Sequence, residues 1–482
     1  MKDYNERGLV ARIVAAFSNT LRYLSDEGVW VYYNGRYWET RDDIGLRAIV
    51  ADFVDRAFNR EVAAIKDEDE RAVAFKFVMK CRAQYSRVVA SVVNGVKSQP
   101  GLIAASKDFD RSLRYLCVGN GVVDCDGAKL LPASPDYRIR QHLDLPYFPD
   151  APAPHWRKAV LDMMDGNKEM AEYLQKLVGC ALLGCQTEEM MVFLVGGGCN
   201  GKTLFLSTIR KALGCYAKSI PAAMLTISGR QSTVNAEAAS PTLLALKGVR
   251  FAYCSETPLN ARLAESTVKA LTGHDPVVAR GMYAREPAGF DPSWLIFMAT
   301  NHMPIIQGTD HGIWRRVRIV QFPVQFDADP RYQLDPALYE KLDDELQGVL
   351  AWAVEGAMLY KRKGLQTPKS VEGEVARTRE SFDLIGDWLE ANCVLAEGVR
   401  LTTTDAWRDW QSYARATGDG KIIETQRAFT RILQERFPLK KSHGRNYAYG
   451  LRLKTADELE AEEREAEAPA HTLTMEEFEA LI

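Results

Sequence analysis

The stretch from Met190 to Leu213, MMVFLVGGGCNGKTLFLSTIRKAL, decides how the rest of the chain is read. Its apolar run Met190 to Val195 has the length of a buried strand, a glycine-rich turn follows, and a helix opens at Lys202-Thr203. Gly196 and Gly201 bracket four residues and Lys-Thr comes next, which is the phosphate-binding pattern G-x-x-x-x-G-K-[ST]. Glycines there let backbone N–H groups point at phosphate oxygens, and the helix N-terminus adds partial positive charge. Lys202 can then reach the β and γ phosphates, and Thr203 can hold Mg²⁺. A plain glycine turn between a core strand and a core helix is the alternative. The reading adopted is a nucleoside triphosphate site.

Working outward, 482 residues with 46% apolar content can bury several cores, so a disordered chain is excluded. The opening MKDYNERGLVARIVAAF lacks the order of a signal peptide, and no apolar run approaches the ~18 residues of a membrane span. A cytoplasmic protein without membrane contact is expected. The nine cysteines are scattered, with no C-x-x-C and no neighbouring histidine cluster, which favours reduced core thiols over disulfides or zinc. Net charge is −3, yet Ala456 to Ile482 carries ten acids against one base, leaving +6 on the rest. A mildly basic body with an acidic tail is compatible with a polyanion partner.

Upstream, VWVYYNGRYWE (29–39) surrounds Asn34-Gly35, the strongest short hairpin signal. Its aromatics could stack on bases, but packing on a domain core is the preferred reading. Helical patterning follows to Val96, then a β stretch from Tyr115 to Leu131 with turns at Asn120-Gly121 and Asp126-Gly127. The proline-rich LPYFPDAPAP (145–154) marks a domain boundary, and two amphipathic helices lead to the phosphate loop. Beyond the loop, three short apolar segments recur: GVRFAYC (248–254) ending in Ser255-Glu256, WLIFMA (294–299) ending in Thr300-Asn301, and VRIVQF (317–322) preceded by Trp314-Arg315-Arg316. Short buried strands alternating with helices predict an α/β domain with a largely parallel sheet. Ligands then bind beyond the carboxyl ends of the strands, where Glu256 and Asn301 fall. Glu256 would polarise the attacking water and share the Mg²⁺, and Asn301 would orient that water. Either residue could instead be an ordinary cap or turn residue. Arg315 and Arg316, read as lying on the active-site side, would neutralise transition-state charge as a finger; a solvated charge run is the alternative.

These motifs in this order resemble the superfamily 3 helicases, and within them the phage and plasmid primase-helicase branch that includes the poxvirus primase-helicase. The residues that carry the likeness are G-x-G-x-N-G-K-T at 196–203 (Gly196, Gly198, Asn200, Gly201, Lys202, Thr203), S-E at 255–256, K-x-L-T-G-x-D at 269–275, T-N at 300–301 and W-R-R at 314–316. VGNGVVD (118–124) and LVGCALLG (177–184) look like that group's leader to the motor. The resemblance implies an AAA+-like ATPase ring, usually a hexamer, moving 3′ to 5′ on single-stranded DNA, with ATP and Mg²⁺ at subunit interfaces. Lys202 and Thr203 would bind phosphate and metal, Glu256 would be the acidic-motif residue, Asn301 the sensor, and Arg315 or Arg316 the finger reaching a neighbour. Ser255 departs from the pattern of many phosphate-loop ATPases, which place a metal-supporting Asp there. Between Lys269 and Trp294 the family places a pore hairpin, here carrying Arg280 and Arg285, whose phosphate contacts would be independent of sequence.

The fold class expected is therefore α/β: a parallel-sheet, AAA+-like phosphate-loop motor over 151–330, an α+β N-terminal domain and leader over 1–150, and a helical lid or linker over 331–380. Residues 381–455 read as a winged helix whose third helix carries Arg427 and Arg431 and whose basic ribbon carries Lys440, Lys441 and Arg445; duplex DNA is its expected partner, protein contact the alternative. Residues 456–482 form an acidic tail, disordered by composition to about Ala470 and then amphipathic. The function expected is an ATP-dependent DNA helicase of a phage, prophage or plasmid replication system, working in the bacterial cytoplasm on single-stranded and forked DNA. Priming would reside in a separate primase or other replication protein. An ATP-switched origin-binding initiator is the second reading and a small-molecule phosphate-loop kinase the third.

Overall fold

The computed structural model describes residues 3–184, 188–227, 241–255, 261–279, 288–306, 311–417, 425–442 and 445–459. At its centre five short strands lie side by side: β1 (Met191–Val195), β2 (Ala217–Ser219), β3 (Phe251–Ser255), β4 (Leu295–Thr300) and β5 (Val317–Gln321). All neighbouring pairs are parallel, and the order across the sheet is β5-β1-β4-β3-β2. Residues alternate between two apolar layers. Val192, Leu194, Phe297 and Val320 face one core, while Met191, Phe193, Ile296, Met298 and Ile319 face the other. Burial on both faces is why these strands read as unbroken apolar runs rather than as polar–apolar alternation. Because β4 sits between β1 and β3, the chain leaves β1 for the far edge and returns, which opens a crevice at the carboxyl ends of β1 and β4.

Two helices precede the sheet, α1 (Pro154–Met163) and α2 (Lys168–Leu183), and α3 (Lys202–Leu213) follows the phosphate loop. Pro154 fits the first turn of α1, where no N–H is needed. Asn167 caps α2 by accepting from the Met170 N–H, and Gly184 at φ +64° ends it. Against α2 packs α4 (Leu346–Lys363). The helices touch through glycines: a Cβ on Gly179 would lie 2.1 Å from the Ala357 nitrogen, and one on Gly356 2.1 Å from the Gln175 carbonyl oxygen. Val349 to Val354 are buried in the main core, so the segment read as a lid is built into the motor's packed body. After Pro368 a helix of 24 residues, α5 (Lys369–Asn392), runs on. The division expected after residue 380 falls inside that helix, whose polar sequence gave no apolar period to reveal its length.

The N-terminal region has its own core. Residues Val29–Tyr33 and Trp38–Arg41 pair antiparallel around Gly35 at φ +99°, and Trp30 and Trp38 are buried, so this ribbon spends its large aromatics on packing. Helices Asp43–Phe53, Glu68–Ala83 and Tyr85–Lys97 complete that core, with Val50, Val78, Val88 and Val92 inside. The three-stranded unit Tyr115–Val118, Gly121–Asp124 and Lys129–Leu131 belongs elsewhere. Leu116, Val118, Val123 and Tyr147 share the motor's main cluster, so the proline-rich stretch at 145–154 does not separate one core from another. Polar bonds reinforce that join. The Cys117 N–H donates to the Tyr216 hydroxyl (2.9 Å), and the buried Arg250 guanidinium donates to the carbonyls of Leu113 and Leu182 (2.9 Å each).

The C-terminal region consists of α5, helices Thr403–Thr417 and Gln426–Arg436, and a sheet of Cys393–Thr402, Arg445–Leu453 and Leu439–Ser442 in that spatial order. Trp388, Trp410, Phe429 and Leu433 fill its core. Among the described residues no helix is long and apolar enough to cross a membrane.

Candidate nucleotide-binding site

At the carboxyl end of β1 the chain enters the loop 196–201 with backbone angles that demand glycine. Gly198 lies at φ +114° and Gly201 at φ +85°, and a Cβ on Gly201 would meet Met163 of α1 at 2.8 Å. Cys199 takes φ +46° without being glycine, a strained position of the kind found at ligand sites. Asn200 braces the loop from inside. Its side-chain oxygen accepts from the Gly198 N–H (2.7 Å) and from Lys202 Nζ (2.8 Å), while its amide nitrogen donates to the carbonyls of Phe322 (3.3 Å) and Val324 (3.1 Å). The loop is thereby tied to the segment that leaves β5.

Lys202 is only 7% exposed. Its ammonium donates to the Gly196 carbonyl and to Asn200, and burial pulls its pKa below the usual lysine value. Thr203, the next residue, is exposed at the start of α3, where the first-turn N–H groups point outward.

Loop and strand ends line one cavity of about 1080 Å³. Gly198, Asn200, Gly201, Lys202 and Thr203 form its floor, and Ser255 from the end of β3 and Asn301 just past β4 face them. Residues expected from widely spaced motifs thus meet, because β4 lies next to β1. Among the described residues no three His, Cys, Asp or Glu side chains cluster as a metal cage. The Thr203 hydroxyl is of the type that serves a magnesium ion arriving with phosphate oxygens and water. Glu256 lies outside the described residues. The cavity's outer wall was not foreseen: His155 and Lys158 of α1 face Tyr332, Leu334, Leu338 and Tyr339. Arg331 and Tyr332 hold that wall to the end of α1, Arg331 pairing with Asp165 (2.8 Å) and Tyr332 donating to the same carboxylate (3.1 Å). Leu334 and Tyr339 are 63% and 53% exposed, an apolar surface of the kind that suits a flat heterocycle. No periodicity marks residues 325–336, and Leu338 and Tyr339 open the short helix Leu338–Asp344, so only the cavity reveals these residues as one wall.

Arg315 and Arg316 need correction. They precede β5, and the Arg316 carbonyl accepts from the Met191 N–H at the start of β1, so they lie at the amino end of a parallel sheet. Five residues of strand at about 3.3 Å each place them roughly 16 Å from the loop of the same subunit. They do not line the cavity. Arg316 is also consumed internally, donating to Thr272 Oγ1 (3.1 Å), the Gly312 carbonyl (2.7 Å) and Glu189 (2.9 Å). Arg315 keeps a side chain 46% exposed.

Of the expected nucleic-acid contacts, Arg280 and Arg285 lie outside the described residues, between the paired strands Val277–Ala279 and Ala288–Phe290. Arg427 is exposed on helix Gln426–Arg436, whereas the side chain of Arg431 is outside the described ones. Lys440, Lys441 and Arg445 are exposed on the terminal ribbon, where Lys441 pairs across with Asn446 and Lys440 lies over the Tyr449 ring at 5.5 Å. Residues 460–482 of the acidic tail are outside the described residues.

Comparison with known proteins adds an independent line. Residues 10–165 match the sequence family described as D5 N terminal like. A protein of Acanthamoeba polyphaga mimivirus provisionally named a helicase (L207/L206) is 25% identical over 426 residues, covering 82% of this chain and 44% of its own length. One of African swine fever virus (strain Badajoz 1971 Vero-adapted), provisionally named a primase (C962R), is 26% identical over 332 residues, covering 64% of this chain and 34% of its own. The chain thus spans less than half the length of these relatives. Among solved structures, the apo NrS-1 C-terminal region (305–718) aligns with a TM-score of 0.46 and 9% identity over 93% of this chain and all of that one.

Proposed function

Since the chain belongs to the primase-helicase family of these viral proteins, we propose that it is an ATP-dependent DNA helicase of a replication system. The observation that carries the reading is the single cavity in which Lys202, Thr203, Ser255 and Asn301 converge at the crevice of a parallel sheet. In this reading the triphosphate lies along the loop 196–203 and the base against the Tyr332–Tyr339 wall. Thr203 and, through water, Glu256 would hold Mg²⁺, which would supply charge neutralisation at the transferring phosphoryl group. Lys202 turns from Gly196 and Asn200 to the β and γ phosphates, Asn301 orients the attacking water, and Glu256 polarises it. Arg315, too far from its own loop, serves a neighbour's nucleotide, which requires a closed oligomer, a hexamer on the motif resemblance.

Motion is 3′ to 5′ on single-stranded DNA, with Arg280 and Arg285 on the pore hairpin. The C-terminal unit is a winged helix gripping duplex through Arg427, Arg431, Lys440, Lys441 and Arg445. The system served is that of a phage, prophage, plasmid or virus. ATP turnover measured with and without single-stranded DNA tests the reading. DNA should raise the wild-type rate at least severalfold, and Lys202→Ala should abolish turnover. A rate indifferent to DNA would sink the motor and favour the small-molecule kinase, while DNA-stimulated turnover without strand separation would favour the initiator.

A further inference from the structure

Glu189 stands at the amino end of β1, beside Arg315 and Arg316 at the amino end of β5, and no motif points to it. Three observations set it apart. Its backbone takes φ +42°, a region that costs a non-glycine residue energy. Its carboxylate, 17% exposed, pairs with both arginines at once, Arg316 at 2.9 Å and Arg315 in close contact, with His274 Nε2 at 3.7 Å on the outer side. And the two arginines are held differently. Arg316 is pinned by Thr272 and the Gly312 carbonyl, whereas among the described residues the side chain of Arg315 is held by Glu189 alone, its backbone carbonyl accepting from Arg318 (2.8 Å).

The arrangement is a chain of command. Thr272, the threonine of the 269–275 motif, and the Gly312 carbonyl immobilise Arg316; Arg316 orients the Glu189 carboxylate; Glu189 in turn holds the flexible stem of Arg315. Among the described residues Glu189 is the carboxylate shared by both guanidiniums, so one negative charge faces two positive ones. We infer that Glu189 is the positioning residue of the intersubunit arginine: it presets Arg315 at the rim so that the exposed portion of its guanidinium meets the triphosphate of the adjoining subunit. The inference rests on the proposal that Arg315 acts on a neighbour's nucleotide. Glu189 touches no nucleotide; it removes the need to order a long side chain at the moment of reaction.

The test is DNA-stimulated ATP turnover by Glu189→Gln, Arg315→Ala and Lys202→Ala, each alone and co-assembled in pairs, with thermal melting of each to verify folding. Glu189→Gln, which keeps an acceptor for the buried Arg316, should melt lower than the parent yet stay folded at the assay temperature, and lose about tenfold or more in kcat with KM changed less than about twofold, the size expected for a misplaced catalytic group. Co-assembled with Lys202→Ala, it should regain turnover per Glu189→Gln subunit, because the Lys202→Ala subunit contributes an intact Glu189–Arg315 pair to its neighbour's pocket. Arg315→Ala should regain turnover in the same way. A wild-type kcat for Glu189→Gln overturns the proposal. So does recovery by Arg315→Ala mixtures without recovery by Glu189→Gln mixtures, which would confine Glu189 to its own subunit. Failure of both mixtures overturns the intersubunit role of Arg315 itself.

Discussion

Replacing Asn200 by alanine removes the internal brace of the phosphate loop while leaving its glycines and Lys202 in place. Four hydrogen bonds go: those from the Gly198 N–H and Lys202 Nζ, and those to the Phe322 and Val324 carbonyls, at a residue 5% exposed. The Lys202 bond is given up anyway when the ammonium turns to phosphate, so the three bonds that persist decide the effect, and at about 1 kcal/mol each the gross loss is roughly 3 kcal/mol. Water entering from the open cavity returns some of this, leaving about 1–2 kcal/mol, most of it felt as a loop no longer preset for phosphate. Each 1.4 kcal/mol is tenfold in affinity, so ATP should bind at least about fivefold more weakly. Asn200→Asp keeps the acceptor toward Gly198 and Lys202 but sets an oxygen against two carbonyls and adds negative charge beside the triphosphate. It should therefore bind more weakly than Asn200→Ala. Titration with a fluorescent ATP analogue measures both. Binding by Asn200→Ala within twofold of the parent, or tighter binding by Asn200→Asp than by Asn200→Ala, would refute the bracing argument.

The same geometry makes three further predictions. Cys199 is an exposed thiol on the loop, whereas the other exposed thiol among the described residues, Cys215, donates to the His142 carbonyl and is pushed up to about 12, and burial pushes Cys125 and Cys254 up to about 11 and about 12. In a Cys185→Ser background a maleimide should therefore label Cys199 first, and ATP should slow that labelling; equal rates with and without ATP would place the nucleotide elsewhere. The phosphate-holding form of Lys202 is the charged one, and burial lowers its pKa. ATP affinity should be greatest where the ammonium is charged and fall as pH rises through that lowered value, below the 10.5 of an ordinary lysine. A flat profile by calorimetry would contradict a role for the ammonium. Neutralising Lys440 and Lys441 should weaken duplex binding at every sequence and flatten the salt dependence by about 0.9 for each phosphate no longer neutralised. An unchanged slope by anisotropy would remove the ribbon from the interface.

How much of this was legible in the sequence depends on the range of the signal. The loop at 196–203 could be read because glycine, lysine and threonine at fixed spacing express a local backbone requirement, and the apolar runs of β1, β3, β4 and β5 because full burial erases alternation. The hairpin around Asn34-Gly35 is likewise a local matter. Sheet order is not local: nothing in residues 190–322 says that β4 lies between β1 and β3, and that placement alone brings Asn301 to the loop. The amino-end location of Arg315 and Arg316 was in principle readable. Residues that precede a strand in a parallel sheet lie opposite the residues that follow one, so a pair just before β5 belongs across the sheet from a loop just after β1. Glu189, just before β1, could have been found by the same rule. The strand Cys393–Thr402 escaped notice because Glu397-Gly398 interrupts its apolar pattern, and the part of the wall from Tyr332 to Leu334 because irregular chain carries no period.

Strand separation on tailed duplexes tests the central claim most directly. With ATP and Mg²⁺ the protein should release the complementary strand from a duplex bearing a 3′ single-stranded tail, leave a 5′-tailed duplex intact, and lose the activity in Lys202→Ala. No displacement from either tail, under conditions where ATP is bound and hydrolysed, would contradict it.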